Sequence, residues 1–230
     1  MRNKIRISKS DEQYEGMPLS TKIFNILRED ILNGRYQEGS KLIESKLAKE
    51  LQVSRTPVRE ALKQLELEGI VENIPNRGAI VLGISQQDLE DIYTIRNSIE
   101  GIAAKWAVER MTEEELEALK EIYDLMDFYA QKNDIEGFAQ LNIEFHESIY
   151  RATKNRYLEQ VLKGLQYYMK RTRMKSLRVE GRLEKSQMEH KEILDAFIQR
   201  DPEKAQEALT RHLMNSQKNV RKYQAENKSI

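Results

Sequence analysis

The 230-residue chain has no cysteine, one tryptophan, four prolines and only three histidines. Without cysteine there is no disulfide framework, no thiol nucleophile, no thiolate zinc finger and no cysteine-ligated iron–sulfur cluster. Lysine plus arginine and aspartate plus glutamate each number 38, so the formal charge is zero and names no polyanionic partner. Any nucleic-acid footprint must therefore be local. No apolar run approaches the ~20 residues needed to span a bilayer. The start, Met1 to Ser10, alternates basic and polar residues and lacks the apolar segment of a secretory signal. What remains, 33% charged and 39% hydrophobic residues with ten glycines, suits a helical protein large enough to bury a sizeable core.

Residues 1–18 carry few apolar side chains and are expected to form a flexible arm. From Leu19 the pattern changes. Ile23, Ile26, Leu27 and Ile31 form one helical stripe closed by Asn33-Gly34; a short loop runs through Gly39; Leu47, Ala48 and Leu51 mark a second helix. A third helix carries Val58, Ala61, Leu62 and Leu65 behind Ser54-Arg55-Thr56-Pro57. Ile70–Ile74 and Ala79–Leu82 then read as two strands around a tip with Arg77-Gly78. Three helices and a two-stranded wing over 19–82 predict a winged helix-turn-helix, whose third helix enters the major groove of DNA. Two hydroxyls and two guanidinium groups, on Ser54, Thr56, Arg55 and Arg59, stand where that helix begins, suited to phosphate and guanine edges. The same charges equally suit a solvated helix face.

Beyond Gly83 no strand pattern appears, and about six helices are expected over 86–224, near 86–110, 113–132, 135–152, 156–175, 180–200 and 202–224. Thr112-Glu113-Glu114-Glu115 is a capping-box sequence, and Asp201-Pro202 places a capping side chain before a proline at the first helical position. The fold class is thus mainly α: a winged helix-turn-helix followed by an all-helical antiparallel bundle. All three histidines, His146, His190 and His212, fall in this second half. Asn142 lies one turn before His146, so the two share a helix face and form a candidate chelating pair. Imidazole suits zinc, nickel, copper or iron. Two readings stand on the residues alone: one cluster around a metal, or three separate histidines each bonded to a neighbour. Arg96 is likewise either a bidentate anchor for a carboxylate or the partner of Glu100 four residues on. Tyr93, Tyr150 and Tyr168 offer hydroxyls or simple packing, and Arg171–Lys175 reads as a weak second basic patch.

The stretch from Ile31-Leu32-Asn33-Gly34-Arg35-Tyr36 through Leu47-Ala48, Val53–Leu62, Gly69 and Asn76-Arg77-Gly78 resembles the GntR family of bacterial transcription regulators over about 60 residues. That resemblance implies DNA contacts at Ser54, Arg55, Thr56 and Arg59, with Arg77 and Gly78 in the wing. Some members carry an arginine where this chain has Ser45 followed by Lys46, so Lys46 is kept as a candidate contact. The segment Asp88 to Val220 resembles the FCD effector domain of the FadR subfamily. Arg96 with Glu100, Asn142 with Phe145-His146, Glu189-His190, and His212-Leu213 carry that likeness.

Metal-binding members imply the ligand set Asn142, His146, His190 and His212, with a divalent transition metal, zinc first and nickel or others also suited. Arg96 and Tyr93 are implied as effector contacts. The expected function is a cytoplasmic, DNA-binding regulator, a repressor in most such proteins. It would act as a homodimer on a palindromic operator, with a small organic or sugar acid as effector. Asparagine in place of aspartate leaves the ion more positive and more attractive to an anion. A dimerisation scaffold with a structural metal is the alternative. A metal-dependent hydrolase is another, weakened because Glu144, Glu147 and Glu189 should face away from the ligands. No catalytic residue is expected.

Overall fold

The computed structural model describes residues 16–75 and 78–227 and divides the chain into two compact units, 1–85 and 86–230. In the first unit, α1 (Leu19–Leu32), α2 (Glu44–Leu51) and α3 (Arg55–Leu67) surround a core of Ile23, Leu27 and Ile31 from α1, Leu47 and Leu51 from α2, and Val58, Ala61, Leu62 and Leu65 from α3. The turn between α2 and α3 is made by Gln52 in a left-handed conformation, φ 57°. This cuts α2 short and lets α3 start afresh at Ser54.

The sheet has three strands rather than the two expected. Strand β1 (Lys41–Leu42) joins β2 (Val71–Ile74) and β3 (Gly78–Val81) in the order β1-β3-β2, all antiparallel, with Leu42 opposite Ala79. Two residues are too few to show a period of two, so no strand was expected there. Leu42 is buried and seals the sheet. Gly78 sits beneath this added strand at φ 93°, and a Cβ on it would lie 2.1 Å from the Leu42 carbonyl oxygen. The glycine is required by strand packing. Arg77 and residues 1–15 of the expected arm lie outside the described residues.

The second unit contains seven described helices: α4 (Gln86–Arg110), α5 (Glu113–Gln131), α6 (Ile135–Ala152), α7 (Arg156–Tyr168), α8 (Lys170–Leu177), α9 (Arg182–Ile198) and α10 (Pro202–Asn227). The capping box at Thr112 and Glu115 forms in full, and the Asp201 side chain accepts from the Lys204 amide at 3.0 Å. Small residues on α4, with Ala103, Ala104 and Ala107 wholly buried, allow α10 to pack closely along it. Phe138, Phe145, Ile149 and Tyr150 on α6 and Phe197 on α9 fill the remaining core. The expected helix over 156–175 is broken at Met169. That side chain packs with Tyr93 and Val220, and α8 begins at the next residue.

Replacement of Gly78 by alanine should destabilise the first unit by about 2 kcal/mol or more, because the new Cβ meets backbone and the φ is unfavourable. Urea unfolding of the variant measures this. A loss below about 0.5 kcal/mol would show that strand β1 does not hold the wing.

Candidate functional site

Helices α6, α9 and α10 each bring one histidine to the centre of the second unit. His146, His190 and His212 are buried, and their ligand nitrogens all lie within 4.8 Å of one another. Ring centroids are 4.4 Å apart for His190 and His212, 5.3 Å for His146 and His212, and 5.6 Å for His146 and His190. Nitrogens bound to one ion at ~2.1 Å lie no more than ~4.2 Å apart. Tetrahedral coordination brings such nitrogens to ~3.4 Å of one another, so the rings must draw in from separations of up to 4.8 Å.

Two of the outward ring nitrogens have hydrogen-bond partners of their own, and the third faces a carboxylate. His190 Nδ1 donates to the Ser186 carbonyl at 2.6 Å, and His212 Nδ1 donates to Glu189 Oε2 at 2.8 Å. His146 Nδ1 faces Glu100 Oε2 at 3.4 Å. This arrangement orients the rings and turns the Nε2 lone pairs inward, where a shared cation could take them. Asn142, one turn before His146, donates from Nδ2 to His190 Nε2 at 2.8 Å, while its buried Oδ1 has no partner. A half-turn of the amide exchanges oxygen for nitrogen at that point. A carbonyl oxygen facing an imidazole lone pair repels it unless a cation lies between them. Three inward lone pairs and an orphaned buried oxygen fit a divalent transition metal.

Beside the histidines is a cavity lined by Tyr93, Arg96, Asn142, His146, Met169, Arg173, Ser176, Leu177, Arg182, Ser186, His212, Leu213 and Ser216. The centre of a water-sized sphere can range over about 20 Å³ of it, room for an ion's water or a carboxylate head. Arg96 is buried and pairs through Nε with Glu100 Oε1. Burial works against ionising Glu100, but Arg96 and His146 outweigh it and hold the carboxyl at about 2. Arg182, also buried, binds Glu189 Oε2 at 2.9 Å. Burial again opposes ionisation of Glu189, and His212 and Arg182 bring it to about 2.

Arg173 differs from both. Among the described residues no carboxylate pairs with it, burial and the neighbouring Arg96 charge lower it to about 10, and its Nη1, like that of Arg182, is sealed from solvent without a partner. Three guanidiniums against two carboxylates leave the cavity one positive charge in excess before any metal is counted. Tyr93 is buried with its hydroxyl 3.2 Å from Ser216 Oγ, and the Tyr150 hydroxyl is buried without a partner. Tyr168 does not line the cavity.

The break at Met169 overturns one expectation directly. Read as part of a solvent-facing basic patch, Arg173 instead turns inward on α8. Glu189 does face away from the ion site, as helix geometry requires, but it anchors His212 from behind. Glu144 and Glu147 point outward to Arg151 and Lys163. Arg182 had no distinguishing pattern in the sequence, whereas Glu100 was legible as Arg96's partner.

In the first unit, Ser54, Arg55, Thr56 and Arg59 lie exposed at the start of α3, and Lys46 is exposed on α2. Arg59 is not a free cation. Its Nε and Nη2 donate to the two oxygens of Glu44 at 2.9 and 2.8 Å.

Residues 19–81 match the family described as bacterial regulatory proteins, gntR family, and residues 91–215 match the FCD domain. The chain belongs to the gntR family of DNA-binding transcriptional regulators, in the branch that carries an FCD domain. It is 32% identical to the gluconate operon transcriptional repressor of Bacillus subtilis, over 74% of this chain and 68% of that one. It is 27% identical to the transcriptional repressor RspR of Escherichia coli, over 91% and 92% respectively. The solved structure of E. coli McbR/YncC shares the fold, with a TM-score of 0.73 at 24% identity, covering 90% of this chain and 98% of that chain. These relatives are regulators and not enzymes. Among the described residues no helix is long and apolar enough to cross a membrane.

The three imidazoles set an acid limit on the metal-free protein. Burial lowers His146 to about 4, places His190 well below its ordinary value and lowers His212 as well. The unfolded chain therefore takes up protons first as pH falls. Stability is full above about 6.5 and is lost as pH drops toward 4, by up to about 3 kcal/mol for His146. Below ~4.5 the depressed Glu100 and Glu189 extend the loss toward pH 2. Urea unfolding of chelator-treated protein from pH 7.5 to 4 should follow this course. A flat profile would refute neutral burial of the histidines.

Proposed function

We propose that this chain is a repressor whose helical unit senses a small carboxylate metabolite on a metal ion. Asn142, His146, His190 and His212 hold the ion, which supplies a positive anchor for an anionic effector. The observation that carries this reading is the unpaired guanidinium of Arg173 in a cavity already balanced at Arg96–Glu100 and Arg182–Glu189. A charge held there without a counter-ion favours an anion that brings one. Asn142 adds to this pull, because a neutral ligand does not quench the ion's charge as a carboxylate would.

Arg96 and Tyr93 line the same cavity, and the effector's carboxylate is received between them, Arg173 and the ion. The B. subtilis relative is named for a gluconate operon, so sugar acids are the first class to test. In the DNA-reading unit, Ser54, Arg55, Thr56, Arg59 and Lys46 contact the operator, and a homodimer presents two such units to a two-fold symmetric site. Residues 1–82 carry 14 Lys plus Arg against 12 Asp plus Glu, so one unit alone has little non-specific attraction and two act together. Coupling is reciprocal: an effector that weakens operator binding is itself bound more weakly on operator, typically by ~1 to 3 kcal/mol.

Melting curves with and without chelator, against a panel of organic and sugar acids, test the reading. Zinc should raise the melting temperature, and one acid should raise it further only in the metal-loaded protein. Arg173→Ala should keep the response to zinc and lose the response to the acid. Stabilisation by zinc with no response to any acid would reduce the metal to a scaffold. For the DNA face, Arg55→Ala should weaken operator binding about tenfold or more while leaving the zinc response intact. Unchanged affinity in an electrophoretic titration would remove it from the contact set.

A further inference from the structure

Glu44 is an acid on the face that must approach a polyanion. As the first residue of α2 it stands beside the second turn of α3, and it engages Arg59 through both carboxylate oxygens, 2.9 Å to Nε and 2.8 Å to Nη2. Hydrogen bonding from Arg59 is the main reason that its carboxyl lies below the usual range, with Arg55 and Lys63 adding smaller pulls. An exposed ion pair of this kind contributes little to folding, so stability alone does not account for an acid in this position.

We propose that Glu44 is a positioning residue for base reading. It clamps one edge of the Arg59 guanidinium so that the opposite edge faces a guanine and cannot swing to a phosphate. The inference rests on the reading of Arg59 as a DNA contact. A guanidinium carries five N–H donors in a planar fork. Glu44 takes two of them, on Nε and Nη2. Both protons of Nη1 and one of Nη2 remain, the end-on pair that meets guanine O6 and N7. The Arg59 side chain is still 57% exposed, so a base can reach that edge.

The clamp acts on specificity in two ways. An unrestrained arginine loses rotamer freedom when it docks, and one already fixed loses less. The carboxylate also cancels most of the arginine's attraction for phosphates, which lowers sequence-independent binding more than binding at a guanine.

The test uses the full-length, zinc-loaded protein and a pool of randomised duplex DNA, with wild type, Glu44→Gln, Glu44→Ala and Arg59→Ala selected in parallel. Wild type should enrich a motif with a fixed guanine in each half-site, and Arg59→Ala should lose the preference at that position. Both Glu44 variants should still bind DNA but discriminate against other bases there about tenfold less well. Their affinity should also fall more steeply with salt, by about one unit of logarithmic slope per protomer. A purely structural role for Glu44 would alter neither readout. Glu44 variants that keep the wild-type guanine preference and salt slope overturn the clamp. If Arg59→Ala itself leaves the motif intact, the reading of Arg59 fails, and the clamp fails with it. Melting temperatures within about 2 °C of wild type exclude unfolding as the cause, and agreement between the two Glu44 variants guards against an artefact of either.

Discussion

A charge enters the middle of a helical bundle only if something there compensates it, and the second unit is organised around that constraint. Arg96, Glu100, Arg182 and Glu189 are withdrawn from water in pairs, each salt bridge reaching a histidine through its carboxylate. Deleting one member would strand its partner, typically at a cost of 3–5 kcal/mol. Networks of this kind rarely add stability over apolar packing. Their value lies in orienting two of the imidazoles, His146 and His212, while the Ser186 carbonyl orients His190, so that lone pairs rather than N–H groups meet at the centre. The unmatched guanidinium of Arg173 then gives the cavity its sign.

Burial also decides which residues act. Tyr93 and Tyr150 share a helix-borne aromatic character with Tyr168, yet only the first lines the cavity and only the first two are buried beside Arg96. The histidines are rare, three in the whole chain, and each lies in an apolar helical run. Rarity and placement singled them out, but one site against three separate histidines stayed open on the residues alone, and the family resemblance is what pointed to a common site. Arg96 and Glu100 were legible as a pair by their spacing, though whether the pair faced water or the core was not.

What escaped the sequence did so for identifiable reasons. Arg173 belongs to a run of basic residues whose obvious face is solvent, yet on α8, past the break at Met169, it lines the cavity. A helix break without glycine or proline leaves no local mark. Arg182 is one of many arginines, and its contact with Glu189 spans two turns of the same helix, beyond the one-turn spacing at which helical ion pairs are usually read from sequence. Strand β1 is shorter than any detectable alternation, and without it Gly78 looked like a tip glycine awaiting DNA. The order of elements was readable from caps and stripes such as Thr112, Asp201 and the Ile23–Ile31 face, because those signals are local.

Helix α8 is eight residues long, well under the length at which a helix holds together in water unaided. It is secured by its own buried side chains, Ser176 and Leu177, and by Met169 just before it. Segments held by so few anchors open at lower free energy than the long helices around them. Because α8 also carries Arg173 into the lining of the cavity, any local opening of this short segment takes the unmatched guanidinium with it. The shape of the cavity and its sign are thereby tied to the same eight residues, and a change that loosens one loosens the other.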